Sequence, residues 1–206
     1  MTRGIFITLE GGEGAGKTTQ IALLRDALTA AGRTVLTTRE PGGTTEGAAL
    51  RRLLVEGDAA WTPWAETLLF YADRMQHVER MIQPALQRGE IVICDRFADS
   101  TMVYQGIGKG LSAEYIRALH AFTLGNLMPD ATFILDISPE AGLARTKGRA
   151  GAEDRFEGMD LSFHHQVRSG FLAIAKRETA RCRVVDASQA PEAVFGQIWG
   201  EIARFS

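Results

Sequence analysis

The sequence contains few of the residues that mark several special classes of protein. Of its 206 residues only two are cysteine and six are proline, and aromatic residues make up 8%. Two cysteines cannot form a disulfide-rich framework, and Cys94 and Cys182 lie in or beside apolar runs, which is typical of reduced, packed thiols. No stretch approaches 18 consecutive apolar residues, so we expect no membrane-spanning helix.

An excess of either charge is also missing. The 23 Lys and Arg residues nearly balance the 25 Asp and Glu residues, giving a net charge of −2, and the basic residues are dispersed. We therefore expect no nucleic-acid partner, although a small anionic ligand is compatible with this balance. The chain enters its first apolar run without a basic leader, so we expect a cytoplasmic protein. With 45% hydrophobic residues and no linker-like segment, residues 1–206 are predicted to form a single domain.

Five short apolar runs alternate with longer helical patterns. The runs are continuous rather than alternating, which is typical of strands buried on both faces. We therefore predict an α/β fold with a doubly wound parallel five-stranded sheet flanked by helices. The predicted strands are residues 5–9, 35–38, 91–94, 132–135 and 183–185. The predicted helices are residues 17–31, 62 to about 86, 112–126, 160–181 and 191–205.

Residues 11–18 match the phosphate-binding pattern G-x-x-x-x-G-K-[ST], directly after the first predicted strand. Glycines let successive backbone N–H groups point at an anion, and the following helix adds its positive N-terminal end. Lys17 is then expected to reach the β and γ phosphates, and the Thr18 hydroxyl to bind Mg²⁺. A plain glycine-rich turn is disfavoured because a strand and a helix flank the motif. The sequence therefore predicts a nucleotide-using protein.

Polar residues follow the predicted strands at their carboxyl ends, where ligands bind in parallel sheets. Asp95 closes the third predicted strand, a position where phosphate-loop enzymes keep a carboxylate for Mg²⁺ or its water shell. Arg96 follows directly and is well placed to fork onto a second phosphate. A structural ion pair between Asp95 and Arg96 is the alternative.

Two weaker signals come from helical spacing. Phe70 and Arg74 are four residues apart and share a helix face, offering a ring for stacking and a guanidinium for a carbonyl or a phosphate. Taken alone, Phe70 is more typical of plain core than of a stacking ring. Thr101, Tyr104 and Gln105 also align if a helical turn follows Ser100.

A basic segment with small residues lies between Arg145 and Arg155 and includes Lys147 and Arg149. Such a loop can close over phosphates and exclude water, and a solvated surface loop is the alternative. The interior of the phosphate loop contains no arginine, so charge on a transferred phosphoryl group needs a cation from elsewhere. We therefore predict a short lid at about residues 145–157.

The motifs together resemble the bacterial thymidylate (dTMP) kinase family along nearly the whole chain. The matching segments are residues 9–19, 38–43, 70–74, 95–100, 104–106 and 135–140, leading to Arg145. Many enzymes share the phosphate loop, but its succession with Arg-Glu-Pro-Gly-Gly and Asp-Arg segments is specific. The resemblance implies a P-loop NTPase fold and transfer of the γ-phosphoryl group of ATP–Mg²⁺ to dTMP, giving ADP and dTDP in dTTP biosynthesis. It also implies a homodimer.

The resemblance further implies roles for individual residues. The implied catalytic residues are Lys17, Glu13, Arg96, Arg149 and Arg155. The implied ATP-binding residues are Gly11, Gly12, Glu13, Gly14, Ala15, Gly16, Lys17, Thr18, Thr19 and Arg145. The implied dTMP-binding residues are Glu13, Glu40, Arg51, Phe70, Arg74, Arg96, Ser100, Thr101, Tyr104 and Gln105. The implied magnesium site consists of Thr18 and Asp95.

Within this implied site, Arg96 would hold the dTMP phosphate and Arg74 would reach thymine O4 or that phosphate. Phe70 would stack on thymine, and Thr101 and Gln105 would address its polar edge. Tyr104 would lie under the sugar, where a 2′-hydroxyl group would clash. Arg145 and the segment after the last strand would flank the adenine.

Two other functions remain open from the residues alone. Another small-molecule kinase would act on AMP, a deoxynucleoside or a non-nucleotide alcohol, but Arg74 and Arg96 favour an anionic acceptor. A nucleotide-dependent switch would bind rather than turn over its ligand. A GTPase switch should carry N-K-x-D for guanine, and this string does not occur in the sequence.

Overall fold

A computed structural model describes residues 3–56, 59–147 and 155–202. Its centre is a five-stranded sheet in which every neighbouring pair is parallel, in the order β2-β3-β1-β4-β5. The strands are β1 (Ile5–Glu10), β2 (Val35–Arg39), β3 (Ile91–Asp95), β4 (Ala131–Asp136) and β5 (Cys182–Asp186). The predicted fold class, a parallel five-stranded α/β sheet, is confirmed.

Helices cover the sheet and connect its strands. They are α1 (Lys17–Ala30), α2 (Thr45–Arg51), α3 (Pro63–His77), α4 (Gln83–Gln87), α5 (Ala98–Thr101), α6 (Ala113–Leu124), α7 (Pro139–Thr146), α8 (Leu161–Arg177) and α9 (Pro191–Ile202). Three π-helical segments extend helices, at Arg52–Glu56 after α2, Val78–Ile82 between α3 and α4, and Met102–Ile107 after α5. Such segments often lie at functional sites, and the last of them carries two predicted site residues.

Apolar side chains are buried on both faces of the sheet. Successive residues of β1 point to opposite faces, so Ile7 packs with Leu24 of α1 and Ile198 of α9. Phe6 packs on the other face with Ile82, which follows α3. The continuous apolar runs of the sequence are therefore explained by helices on both faces, as predicted.

The predicted helix from residue 62 to about 86 is one continuous helical run made of α3, a π-helical turn and α4. It begins where predicted, because the Thr62 hydroxyl accepts a hydrogen bond from the Ala65 N–H and Pro63 occupies the first turn. Helix α1 ends at Ala30, and Gly32 follows with a positive φ of 78°.

The predicted helix 160–181 is wrong at its C-terminal end. Helix α8 ends at Arg177, and the Cys182 N–H donates to the Glu178 carbonyl in a turn that leads directly into β5. The Arg181 side chain instead pairs with the buried Asp99 at 2.7 Å. This long-range ion pair lies just after the end of α8, and the periodicity of the sequence contains no trace of it.

Helices α2 and α7 were not predicted. Both have a hydroxyl cap, since the Thr44 side chain accepts from the Gly47 N–H and the Ser138 side chain accepts from the Ala141 N–H. A Ser-Pro start is a helix signal that the sequence does contain at α7. Helix α2 is only seven residues long, too short to show a clear periodic face.

Candidate active site

The phosphate loop joins β1 to α1 as the motif predicts. Gly16 immediately precedes α1 with φ 89°, and Gly14 has φ 66°, a conformation that residues with a side chain rarely adopt. A Cβ atom at Gly14 would also collide with the backbone of Gly142, so α7 packs directly against the loop. The Lys17 Nζ atom donates to the carbonyl of Gly12 at 3.0 Å. Burial and the charge of Arg96 lower the pKa of Lys17.

A cavity of about 250 Å³ lies beside this loop, at the carboxyl ends of β1, β2 and β3. The predicted site residues that line it are Glu13, Gly14, Ala15, Gly16, Lys17, Thr18, Thr19, Glu40, Arg51, Phe70, Arg74, Asp95, Arg96, Ser100, Thr101, Tyr104 and Gln105. Val55, to which the sequence assigned no role, also lines the cavity, and so do Phe156 and Glu157 at the end of the predicted lid. Gly11 and Gly12 lie on the other side of the loop, beside a smaller space near Asp136. The structure thus brings together residues from distant parts of the chain.

Arg96 lies between the phosphate loop and this cavity. Its backbone is left-handed, with φ 68°, and its side chain bridges three groups of the loop region. The guanidinium donates to Glu13 at 2.7 Å, to the Gly11 carbonyl at 3.0 Å and to the Ser100 hydroxyl at 3.3 Å. Arg96 therefore forms its ion pair with Glu13. The alternative considered from the sequence, an ion pair between Arg96 and its chain neighbour Asp95, is not formed.

The Glu13 carboxylate lies in a strongly positive environment. Burial alone would raise its pKa, but the charges of Arg96 and Lys17 and a hydrogen bond from Tyr104 outweigh burial and lower the pKa of Glu13 to about 2. The Tyr104 hydroxyl donates to Glu13 at 2.8 Å, and the Arg96 guanidinium lies over the Tyr104 ring at 5.0 Å. Glu13, Arg96 and Tyr104 thus form one rigid wall of the cavity.

Arg74 also lines the cavity and is only 2% exposed. Its Nε atom donates to Glu40 at 2.6 Å, and its Nη2 atom donates to the Thr101 hydroxyl at 3.1 Å. Its Nη1 atom is buried and donates to no partner in the described part of the chain. Buried donors rarely remain unpaired, so this atom indicates a place for a ligand acceptor.

The two residues predicted to bind magnesium, Asp95 and Thr18, both line the cavity. The Asp95 Oδ1 atom is buried and has no hydrogen-bond partner among the described residues. Residues 3–56, 59–147 and 155–202 contain no group of three or more His, Cys, Asp or Glu side chains that could hold a metal ion. A free carboxylate oxygen beside a hydroxyl fits Mg²⁺, which protein sites hold with one or two carboxylates together with substrate phosphates.

The arginines of the predicted lid differ in whether the structure describes them and in what they contact. Arg149 lies outside the described residues, as does most of the predicted lid. Arg155 contacts the Glu66 carboxylate and donates to the Ala59 carbonyl at 3.1 Å, so it does not line the cavity here. Arg145 donates to the Ala187 carbonyl at 3.0 Å, which places it beside the segment that follows β5.

Sequence reasoning missed two buried carboxylates that organise the site. Glu10 accepts from the Phe97 N–H at 2.8 Å and from the Ser100 hydroxyl at 2.6 Å, and burial together with the charge of Asp99 raises its pKa to about 8. Glu66 is completely enclosed on α3. Its spacing of four residues before Phe70 was an available signal, because it places both side chains on one helix face.

Residues 9–198 match the family model described as thymidylate kinase. The chain belongs to the thymidylate kinase family. It is 52% identical over 199 residues to the thymidylate kinase of Caulobacter vibrioides, covering 96% of this chain and 95% of that protein. It is 49% identical to the thymidylate kinase of Thermomicrobium roseum, covering 97% and 94%. The crystal structure of thymidylate kinase from Ehrlichia chaffeensis is similar with a TM-score of 0.82 and 34% identity, covering 97% and 99%.

Membership in this family decides between the functions that the residues left open. The predicted P-loop NTPase fold and the predicted class of enzyme, an ATP-dependent nucleoside monophosphate kinase, are confirmed. The nucleotide-dependent switch and the other small-molecule kinases are not supported. In the described part of the chain, no helix combines the length and apolarity needed to cross a membrane.

Proposed function

We propose that the cavity binds dTMP, with its phosphate toward Arg96 and its thymine ring toward Phe70 and Arg74, while the phosphate loop binds ATP. The observation that carries this assignment is the position of two arginines in one cavity. Arg96 lies against the phosphate loop, and Arg74 lines the cavity with an unpaired buried donor. An anionic end and a base with a carbonyl edge fit these two positions.

The phosphate end explains phosphoryl transfer. Lys17 and Arg96 flank the point where the two substrates meet, and their charges neutralise the phosphate oxygens that approach one another. A dTMP phosphate oxygen forms a bond to the γ-phosphorus of ATP, and the bond from that phosphorus to the β,γ-bridging oxygen breaks. ADP takes the electron pair as it leaves. The protein contributes position and charge rather than a covalent intermediate.

The nucleoside end explains the choice of acceptor. Phe70 offers a ring for stacking on thymine, and the Arg74 Nη1 atom offers a donor for the thymine O4 atom. Tyr104 is held by Glu13 and packs edge-on against Phe156 at 5.3 Å, so it cannot easily move aside. We propose that this fixed ring excludes the 2′-hydroxyl group of a ribonucleotide. The remaining predicted residues, Glu40, Arg51, Ser100, Thr101 and Gln105, complete the dTMP pocket.

We propose Thr18 and Asp95 as the protein groups that hold Mg²⁺ together with the ATP phosphates. When bound, magnesium would neutralise charge on the β and γ oxygens. The unpartnered Asp95 oxygen supports this assignment. Arg149 and Arg155 are proposed as the lid arginines of residues 145–157 that stabilise charge on the transferred group, within a single kinase domain of residues 1–206.

We further propose a homodimer and a cytoplasmic location. Apolar side chains are exposed on two neighbouring helices, with Leu68 and Met75 on α3 and Tyr115 and Phe122 on α6. Such a patch supports a protein partner, and the resemblance makes a second copy the first candidate.

Both described cysteines are buried and free, which supports a reducing compartment.

Two measurements test the assignment of the two half-sites. Release of ADP with ATP and Mg²⁺ should be fast with dTMP and much slower with AMP, dGMP and ribothymidine monophosphate. Calorimetric binding of dTMP without ATP should weaken about 100-fold in Arg96→Met, since a charged hydrogen-bonding partner is lost. Arg88→Met is the matched control, because Arg88 pairs with Glu90 at the surface. Normal dTMP binding by Arg96→Met would contradict the assignment.

A further inference from the structure

Glu66 is buried on α3 and accepts hydrogen bonds from three side chains in two other segments of the chain. Its Oε1 atom accepts from the Gln105 side-chain amide at 2.8 Å. Its Oε2 atom accepts from the Lys109 ammonium at 2.8 Å and from the Arg155 guanidinium. The carboxylate itself does not line the cavity, but Gln105 does. Glu66 therefore touches the site only through other side chains.

The Glu66 carboxylate fixes which end of the Gln105 amide faces the cavity. A carboxylate held by two cations accepts hydrogen bonds and donates none, so it must face the amide nitrogen of Gln105. The oxygen of Gln105 is then turned away from Glu66. This Oε1 atom accepts no hydrogen bond from any residue that the structure describes, and the side chain is only 1% exposed. It is left as an acceptor for a ligand in the cavity.

We infer that Glu66 is a positioning residue for base selection: by holding the Gln105 amide nitrogen, it presents the Gln105 oxygen to the base. This inference rests on the proposed function. Thymine carries an N3–H donor beside its O4 acceptor, which matches the Gln105 oxygen and the unpaired Arg74 Nη1 donor. Cytosine carries an N3 acceptor beside an amino donor, so both contacts would be reversed. The Gln105 oxygen and the Arg74 donor together would therefore favour dTMP over dCMP.

Glu66→Gln tests the orientation without changing the size of the side chain. Lys109 and Arg155 only donate hydrogen bonds, so the new amide oxygen is expected to face them and the new amide nitrogen to face Gln105. Gln105 must then turn, and its own N–H groups face the cavity. The ratio of kcat/KM for dTMP to that for dCMP should fall about tenfold or more, because a donor then meets the thymine N3–H.

Matched measurements separate this effect from a loss of structure. The ratio for dTMP to dUMP should stay unchanged in Glu66→Gln, since both bases present the same N3–H and O4 edge. Lys109→Met removes a cation from Glu66 but leaves its bond to Gln105, so this variant should keep the wild-type ratio of dTMP to dCMP. In a Gln105→Ala background, Glu66→Gln should no longer alter that ratio.

Several results would overturn the inference. One is a folded Glu66→Gln enzyme, shown by its circular dichroism, that keeps the wild-type ratio of dTMP to dCMP. Another is a Glu66→Gln change that lowers the ratio of dTMP to dCMP equally in the wild-type and the Gln105→Ala backgrounds. If Glu66→Gln does not fold, Gln105→Met decides, because an unchanged ratio in that variant would show that Gln105 does not select the base. If the wild-type enzyme does not phosphorylate dTMP, the proposed function itself fails, which is a separate outcome.

Discussion

The buried Glu10 carboxyl should make the stability of this protein fall as the pH rises. Glu10 is completely enclosed at the end of β1. Burial and the neighbouring charge of Asp99 raise its pKa from 4.5 to about 8, and the hydrogen bonds from Ser100 and Phe97 and the charge of Arg96 only partly oppose this shift. Replacement of Glu10 by Gln removes the ionisable group but keeps an acceptor for the Phe97 N–H.

The sign and size of the effect follow from proton linkage. Below about pH 4.5 the Glu10 carboxyl is protonated in both the folded and the unfolded chain, so it contributes no pH dependence. Between pH 4.5 and 8 the folded protein keeps a proton that the unfolded chain has lost. The free energy of unfolding therefore falls with rising pH by up to about 1.4 kcal/mol per unit. From pH 5 to pH 8 the upper limit is about 4 kcal/mol.

Urea unfolding of the wild type and Glu10→Gln at pH 5, 6.5 and 8 measures this contribution. Titrating groups that do not interact with Glu10 cancel in the difference, and the charge interactions of Glu10 with Asp99 and Arg96 are part of what is measured. The two proteins should have similar stability at pH 5, and the variant should be the more stable by as much as about 4 kcal/mol at pH 8. Glu114→Gln, which removes an exposed carboxylate on α6, is the matched control for the change in charge. A difference between wild type and Glu10→Gln that stays constant from pH 5 to pH 8 would refute the reasoning.

Three further changes test the proposed site and assembly. Lys17→Ala should lower kcat by at least about 100-fold while calorimetric binding of dTMP stays nearly normal, because Lys17 is assigned to the ATP phosphates; normal turnover would contradict this. Arg155→Ala should lower kcat more than it raises the KM for dTMP, and an effect on KM alone would restrict this arginine to binding. Phe122→Asp should convert a dimer to a monomer in sedimentation, because this ring is 87% exposed and its change costs the monomer less than about 0.5 kcal/mol; a dimer that persists would exclude the α6 patch.

The parts of this protein that the sequence predicts are those with local causes. The three inner strands of the sheet, β3, β1 and β4, are mainly apolar runs, and Gly11, Gly14 and Gly16 of the contiguous phosphate-loop motif adopt positive φ. Helix α3 begins at a Thr-Pro pair that the sequence displays directly. The end of α8 at Arg177 was predicted wrongly, and the ion pair of Arg181 with Asp99 that follows it joins residues 82 positions apart.

The same distinction applies within the site. The resemblance supplies residues that line the cavity, but it does not supply their partners. The contact of Arg96 with Glu13 joins residues 83 positions apart, and that of Tyr104 with Glu13 joins residues 91 apart. Such contacts exist only once the fold has brought the ends of β1 and β3 together. No periodicity or spacing in the sequence specifies them.

Buried carboxylates are the part of the site that is hardest to identify from the sequence, because Glu is usually a surface residue. Here Glu10, Glu40 and Glu66 are all at most 4% exposed, and each holds groups that line the cavity. Glu40 accepts from Arg74, and Glu10 accepts from the backbone next to Arg96. Glu40 and Glu66 are paired with cations and Glu10 accepts two hydrogen bonds, so each carboxyl group keeps its partners oriented whether or not a substrate is bound. The arginines of this kinase are therefore placed by its acids, and changes to those acids should alter selectivity and pH dependence before they alter the fold.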